Sequence, residues 1–111
     1  MRSIRLLATA AFSIAFSIPC VAAPDAEAAM KLAKDSGCTK CHSVDKTKKG
    51  PSFQKTAAKY KGKPDAEAKL IDVVTKGAKV KLDDGTEEEH AVVKTKDQAE
   101  IKNLVQWILA Q

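Results

Sequence analysis

Within 111 residues, the run Cys38-Thr39-Lys40-Cys41-His42 restricts the fold more than any other feature of the chain. Two cysteines separated by two residues and followed at once by histidine form the attachment pattern of a covalent haem. Each thiol adds across one vinyl group to make a thioether, and the next residue then stands over the iron with an imidazole nitrogen as proximal ligand. Three other uses of the same residues compete. A Cys38–Cys41 disulfide or a thioredoxin-type redox pair would normally sit near a βαβ pattern, with the first cysteine at a helix start. Here the pair follows a helix end and no strand is in sight. A closed zinc site would take Cys38, Cys41, His42 and His90, but adjacent Cys41 and His42 suit tetrahedral ligation badly. The pattern therefore points to one haem c, bound through Cys38 and Cys41 and ligated by His42.

The first residues belong to a different segment. Arg2 and Arg5 form a positive start, Leu6 to Ile18 is apolar and uncharged, and Val21-Ala22-Ala23 offers small residues for cleavage. This predicts a signal peptide over residues 1–23, removed after Ala23, and export to the periplasm. Cys20, preceded by Pro19 and with Ser17 three positions before it, poorly fits an acylated lipoprotein cysteine and leaves with the signal. The apolar run is short of the roughly 20 residues of a span, so no stable membrane insertion is expected after cleavage. Residues 24–111 then form a single domain, small for a self-sufficient core. A buried apolar cofactor would supply the missing hydrophobic surface. Residues 24–63 hold ten lysines and four acids, for +6, whereas residues 64–111 hold seven lysines and ten acids, for −3. Such segregation suits a basic face for a partner protein. Nucleic acid is excluded as a partner, because export removes the chain from it and no arginine follows residue 5.

Periodicity predicts an all-α domain of about four short helices. Pro24 and the acids Asp25 and Glu27 suit the first turn of a helix that Gly37 stops. Gly50-Pro51 is a turn, and Ser52 caps a short helix through about Tyr60, broken by Gly62 and Pro64. Ala66, Leu70, Val73 and Val74 mark one face of a helix ending at Gly77. Ile101, Leu104, Val105, Ile108 and Leu109 repeat that spacing behind a capping box, Thr95 with Gln98. No convincing sheet is expected between residues 78 and 94. Val80-Lys81-Leu82 beside Asp84-Gly85 makes at most a minimal hairpin.

At this point the chain resembles the small bacterial class I monohaem cytochromes c. The resemblance rests on Leu32 to His42, Gly50-Pro51, Ala57-Ala58-Lys59-Tyr60-Lys61-Gly62 and Leu104-Val105-Gln106-Trp107-Ile108-Leu109, and it covers the chain after the signal apart from residues 78–94. It implies the class I fold wrapped around one haem, with the Pro51 carbonyl accepting the second N–H of the proximal histidine. It also implies that the first and last helices cross near Gly37, whose lack of a side chain would admit Leu104 and Trp107. The family's distal methionine is missing, since Met1 leaves with the signal and Met30 lies on the first helix. His90, seventeen residues before Trp107, is the leading candidate for the sixth ligand. Lys79, Lys81 or Lys94, a water or a vacant site are the alternatives. The loop from Gly77 to His90 is about three residues longer than the resemblance implies, which leaves its register open. Imidazole in place of thioether lowers the potential, as would Glu87 to Glu89 close by.

The expected function is electron transfer, not enzymatic catalysis, by a monomer or weak homodimer that docks redox partner proteins through a lysine-rich face at Lys40, Lys46, Lys48 and Lys49. A gas-binding or redox-sensing haem protein with a labile or vacant distal site is the alternative. A peroxidase-like use of the iron lacks a second catalytic histidine or arginine.

Overall fold

The computed structural model describes residues 13–18 and 22–111. Arg2, Arg5, most of the apolar run, Cys20 and Val21 lie outside the described residues, so the signal-peptide expectation rests on sequence alone. No helix among the described residues is long and apolar enough to cross a membrane.

Four helices form where the periodicity places them: α1 (Ala26–Asp35), α2 (Phe53–Tyr60), α3 (Ala66–Lys76) and α4 (Gln98–Leu109). The Asp25 carboxylate accepts the Ala28 N–H at 3.0 Å and so supplies a partner for one of the first-turn donors of α1. The Ser52 hydroxyl does the same for α2, accepting from Lys55 N at 3.1 Å. Helix α4 is the hub, packing on α1, α2 and α3 in turn. Its Ile101, Leu104 and Val105 are fully buried, and each such side chain contributes roughly 1.5–3 kcal/mol by leaving water. Ala29 and Ala33 of α1, Phe53 of α2, and Leu70 and Val74 of α3 complete the core. Asn103 locks α1 to α4 by accepting from Asp25 N at 2.8 Å and donating to Asp25 O at 2.9 Å.

Two expectations are corrected. The start of α4 is capped by Asp97, whose carboxylate accepts from Ala99 N and Glu100 N, and not by Thr95 with Gln98. Thr95 instead donates to the Glu100 carboxylate at 2.5 Å. Asp97 wins because its charged oxygen satisfies two free N–H groups at the positive end of the helix. Gly37 has φ +77°, and a Cβ there would meet only the Lys40 side chain at 3.9 Å. Its glycine is required by backbone conformation, not by the approach of α4; the close approach falls to Ala29 and Ala33 instead.

Beside Asp84-Gly85 the chain forms the minimal hairpin that the sequence allows, a two-stranded antiparallel ladder of β1 (Lys79–Lys81) and β2 (Glu87–Glu89). Lys79 faces Glu89 and Lys81 faces Glu87, so opposite charges meet across the ladder. The tip closes through Leu82 N to Thr86 O at 2.8 Å, Gly85 at φ +86°, and the Asp84 carboxylate accepting from Thr86 N at 2.9 Å.

Candidate haem-binding site

The turn that follows α1 carries the two cysteines. Gly37 reverses the chain, Cys38–Lys40 makes one tight 3-10 turn, and both Cys41 N and His42 N donate to Cys38 O, at 3.2 and 2.9 Å. Cys38 and Cys41 are half-buried and free, so the disulfide alternative is not formed. Burial pushes the Cys38 thiol above its ordinary pKa, because an apolar surrounding disfavours the thiolate. The loop beyond is folded back onto this turn by Gly50 N to Cys41 O at 2.8 Å and by the Lys48 ammonium donating to Thr39 O at 2.6 Å.

That loop delivers a backbone acceptor to His42. Its Nδ1 lies 2.6 Å from the Pro51 carbonyl, which requires the proton on Nδ1 and leaves Nε2 with its lone pair. The ring stacks on Phe53 with centroids 5.5 Å apart, and Phe53 meets Trp107 edge-on at 5.4 Å, which ties the imidazole to the core. Gly50 lies against the other part of the ring. A Cβ there would come within 2.5 Å of His42 Cε1, so no larger residue fits without moving the imidazole.

His90 follows β2 directly and faces the same space. Its N–H donates to Ala78 O at 2.8 Å, and its Nδ1 lies 2.8 Å from Ala91 O. Like His42, it is held with Nδ1–H on a backbone carbonyl and Nε2 free. The two imidazole centroids are 5.9 Å apart, with planes inclined at 44°. Beyond His90 the chain is tied to two helices, by Val93 N to Val74 O at 2.9 Å and by Lys94 N to the Ser36 hydroxyl at 3.0 Å. Gly77, at φ +66°, leaves room for this segment: a Cβ would meet His90 O at 3.0 Å and Val92 Cγ1 at 3.2 Å. The roles of Gly50 and Gly77 escaped the sequence reading, although Gly50-Pro51 and Gly77 were both visible there as a turn and a helix stop.

The space between the histidines consists of two neighbouring cavities. An outer one of about 380 Å³ is lined by Cys41, Lys81, Leu82 and Glu89, among others. An inner one of about 240 Å³ reaches Ala33, Phe53, Leu70 and Leu104. Cys38, His42, Pro51, Val80 and His90 line both. Of the lysines considered as ligands, Lys81 stands at the rim, and Lys79 and Lys94 line neither cavity. Among the described residues no three His, Cys, Asp or Glu side chains converge on a metal-sized point, so the four-ligand zinc arrangement is absent.

This donor set fits a haem c. The chain offers two free thiols at one edge, apolar walls, and two imidazoles with available Nε2. Two metal–imidazole bonds of about 2.0–2.1 Å in line set the nitrogens roughly 4 Å apart and the ring centres about two ring radii further. Centroids at 5.9 Å come within about half an ångström of that span. Residues 26–111 match the family model for cytochrome c. The chain belongs to the cytochrome c family. It is 40% identical over 87 residues to cytochrome c-551 of Allochromatium vinosum, covering 78% of this chain and 89% of the relative. With cytochrome c-551 of Pseudomonas aeruginosa the identity is 33% over 80 residues, or 72% and 73% of the two chains. Among solved structures, the class 1 cytochrome MtoD of Sideroxydans lithotrophicus ES-1 superposes with a TM-score of 0.75 at 57% identity, over 79% of this chain and 97% of that one. Wild-type cytochrome c552 of Nitrosomonas europaea gives a TM-score of 0.58 at 31% identity, over 72% and 95% of the chains. This cytochrome c is thus a small class I protein with one covalently bound haem c, and its function is electron transfer.

Proposed function

We propose that this cytochrome is an exported, periplasmic electron carrier, not an enzyme, whose haem is attached through Cys38 and Cys41 and ligated on both faces by histidine, His42 and His90. The observation that carries the reading is the matched pair of imidazoles. Each has its Nδ1 at a backbone carbonyl, Pro51 O at 2.6 Å or Ala91 O at 2.8 Å, which leaves Nε2 available, and both residues line the two cavities. A carbonyl that accepts the distant N–H orients the ring and raises its basicity, which favours ferric iron. The haem, when bound, supplies the one-electron couple. The chain's residues fix its potential and limit access to it: Val80, Leu82 and Phe53 exclude water, while Glu88 and Glu89 line the mouth. Negative charge there adds to the preference for ferric iron, so a low potential is expected within the family.

Partner docking falls to the lysines around the attachment turn. Lys40, Lys46, Lys48 and Lys49 are exposed, although Lys48 also holds Thr39 and Lys49 lies 3.9 Å from Glu88. The test of axial ligation is the visible spectrum of the ferrous protein with and without carbon monoxide. A six-coordinate low-spin spectrum is expected, lost in His90→Ala with the haem still attached. An unchanged low-spin spectrum and potential in His90→Ala would refute the assignment and return attention to the lysines.

A further inference from the structure

Ser36 is buried, with 6% of its surface accessible, and caps the end of α1 two residues before Cys38. Its hydroxyl accepts the N–H of Lys94, four residues beyond His90, at 3.0 Å. The link spans 58 positions in sequence and joins the turn that carries the thiols to the strap that carries the distal imidazole. Among the described residues, the other hydrogen bonds out of the strap go to α3 and its C-terminal extension, through Ala78 O and Val74 O, while Val93 packs into the core. On the solvent side the two walls of the cleft meet at Lys49 and Glu88, but that pair is exposed and 3.9 Å apart, so it holds little. The buried hydroxyl is a different matter. Without it, the part-buried Lys94 N–H, on a residue otherwise exposed, loses the acceptor that the buried Ser36 side chain supplies.

We infer that Ser36 is a positioning residue for the distal ligand, holding the 90–94 strap closed so that His90 stays on the iron. This rests on distal ligation by His90. Opening the strap breaks the Ser36–Lys94 bond, withdraws His90 and admits an exogenous ligand. Closing it reverses each step. Ser36→Ala therefore raises the population of the open form by about tenfold, the lower part of the range for a donor left unsatisfied, because this one is part-buried, whereas Ser36→Thr, which keeps the hydroxyl, restores closure.

The experiment uses holoprotein in the ferrous state and follows carbon monoxide binding by stopped flow. In the wild type the rate should level off with carbon monoxide concentration, because His90 departure limits it. Ser36→Ala should raise that plateau about tenfold, and Ser36→Thr should return it toward wild type. Asn103→Ala is the comparison, since it removes the α1–α4 lock at Asp25 without touching the strap; it should lower thermal stability and leave the plateau unchanged. Equal acceleration in Asn103→Ala and Ser36→Ala would mean general loosening and would overturn the inference. So would a plateau unmoved by Ser36→Ala. A wild-type rate that rises linearly without limit would instead show that His90 is not bound, and both readings would fall together. Amide exchange in the unaltered ferrous protein gives an answer that depends on no variant. The Lys94 amide should be protected there and exchange at least tenfold faster once carbon monoxide has displaced His90. A Lys94 amide that exchanges like an exposed one in the ligand-free protein would rule the strap bond out.

Discussion

Gly50→Ala adds one methyl group at the point where the backbone touches the His42 imidazole. Gly50 has no positive φ, so alanine is compatible with its backbone and would by itself stabilise the fold by about 0.4–1 kcal/mol through the unfolded chain. The new Cβ, however, falls 2.5 Å from His42 Cε1 and 2.9 Å from Nδ1. The ring has nowhere easy to go: Phe53 stacks on it with centroids 5.5 Å apart, and Pro51 O holds Nδ1 at 2.6 Å. Overpacking of this kind costs about 1–3 kcal/mol, which leaves a net loss of up to about 2.6 kcal/mol, centred near ~1.3 kcal/mol. At about 4–8 °C per kcal/mol for a domain of this size, Tm should fall by roughly 5–10 °C at that centre. Thermal unfolding of the ferric protein, followed at the haem absorption bands, measures this, and the same spectra report the ligand field. Gly62→Ala is the control, because Gly62 has φ +75° and nothing within 4 Å of an added Cβ. It should lose stability through its backbone and leave the haem spectrum untouched. A Gly50→Ala protein with wild-type Tm and spectrum would show that the imidazole is not wedged between Gly50 and Phe53.

His90→Met should raise the midpoint potential in protein-film voltammetry, since a thioether stabilises ferrous iron better than imidazole does; a lower or equal value counts against distal ligation. The intact mass after denaturation should show haem retained on a chain beginning at Pro24, and haem that extracts into acidified organic solvent would contradict attachment through Cys38 and Cys41. Electron transfer to a physiological partner should slow with added salt, which screens charges over ~10 Å at 0.1 M; a flat rate removes the lysine face from the docking account. Replacing Asp83-Asp84-Gly85 by Asn-Gly, a preferred two-residue hairpin turn, should leave the low-spin spectrum unchanged, and a high-spin product would show that the hairpin tip governs where His90 lands.

Helices were legible because each must hide an apolar stripe, and Leu70 with Val74, or Leu104 with Ile108, announce theirs by spacing alone. The Cys38–His42 turn stands out in the sequence for a different reason: covalent haem attachment calls for two thiols and an imidazole within five consecutive residues. The cap of α4 was misread because Thr95 and Asp97 are both good caps two residues apart. Only the geometry reveals that the Asp97 carboxylate reaches Ala99 N and Glu100 N. The hairpin gave a partial signal. Val80 and Leu82 alternate with exposed Lys79 and Lys81 and turn half-buried to the cavities, but Glu87 to Glu89 are all exposed and offer no apolar residue, so only one strand and the Asp84-Gly85 turn were visible.

The register of His90 shows why that hairpin matters to the site. Counted along the chain, the interval from Gly77 to His90 is long enough to carry the imidazole past the iron or to bring a lysine there first. Counted in space, it is almost nothing. The ladder pairs Lys79 with Glu89, and the next residue outward on each side is Ala78 and His90, joined by His90 N to Ala78 O at 2.8 Å. The position of the imidazole is therefore set by the end of α3, whose last residues are fixed in the core by Val74, and the additional length is spent in a loop that leaves and returns to the same place. Gly77 completes the arrangement, since any Cβ would press on the His90 carbonyl at 3.0 Å. Residues inserted or removed at the tip change how far the hairpin projects and leave its base where it was. A helix end and a glycine thus decide which side chain faces His42, and that is why a loop so unlike the rest of the family pattern still presents one imidazole opposite another.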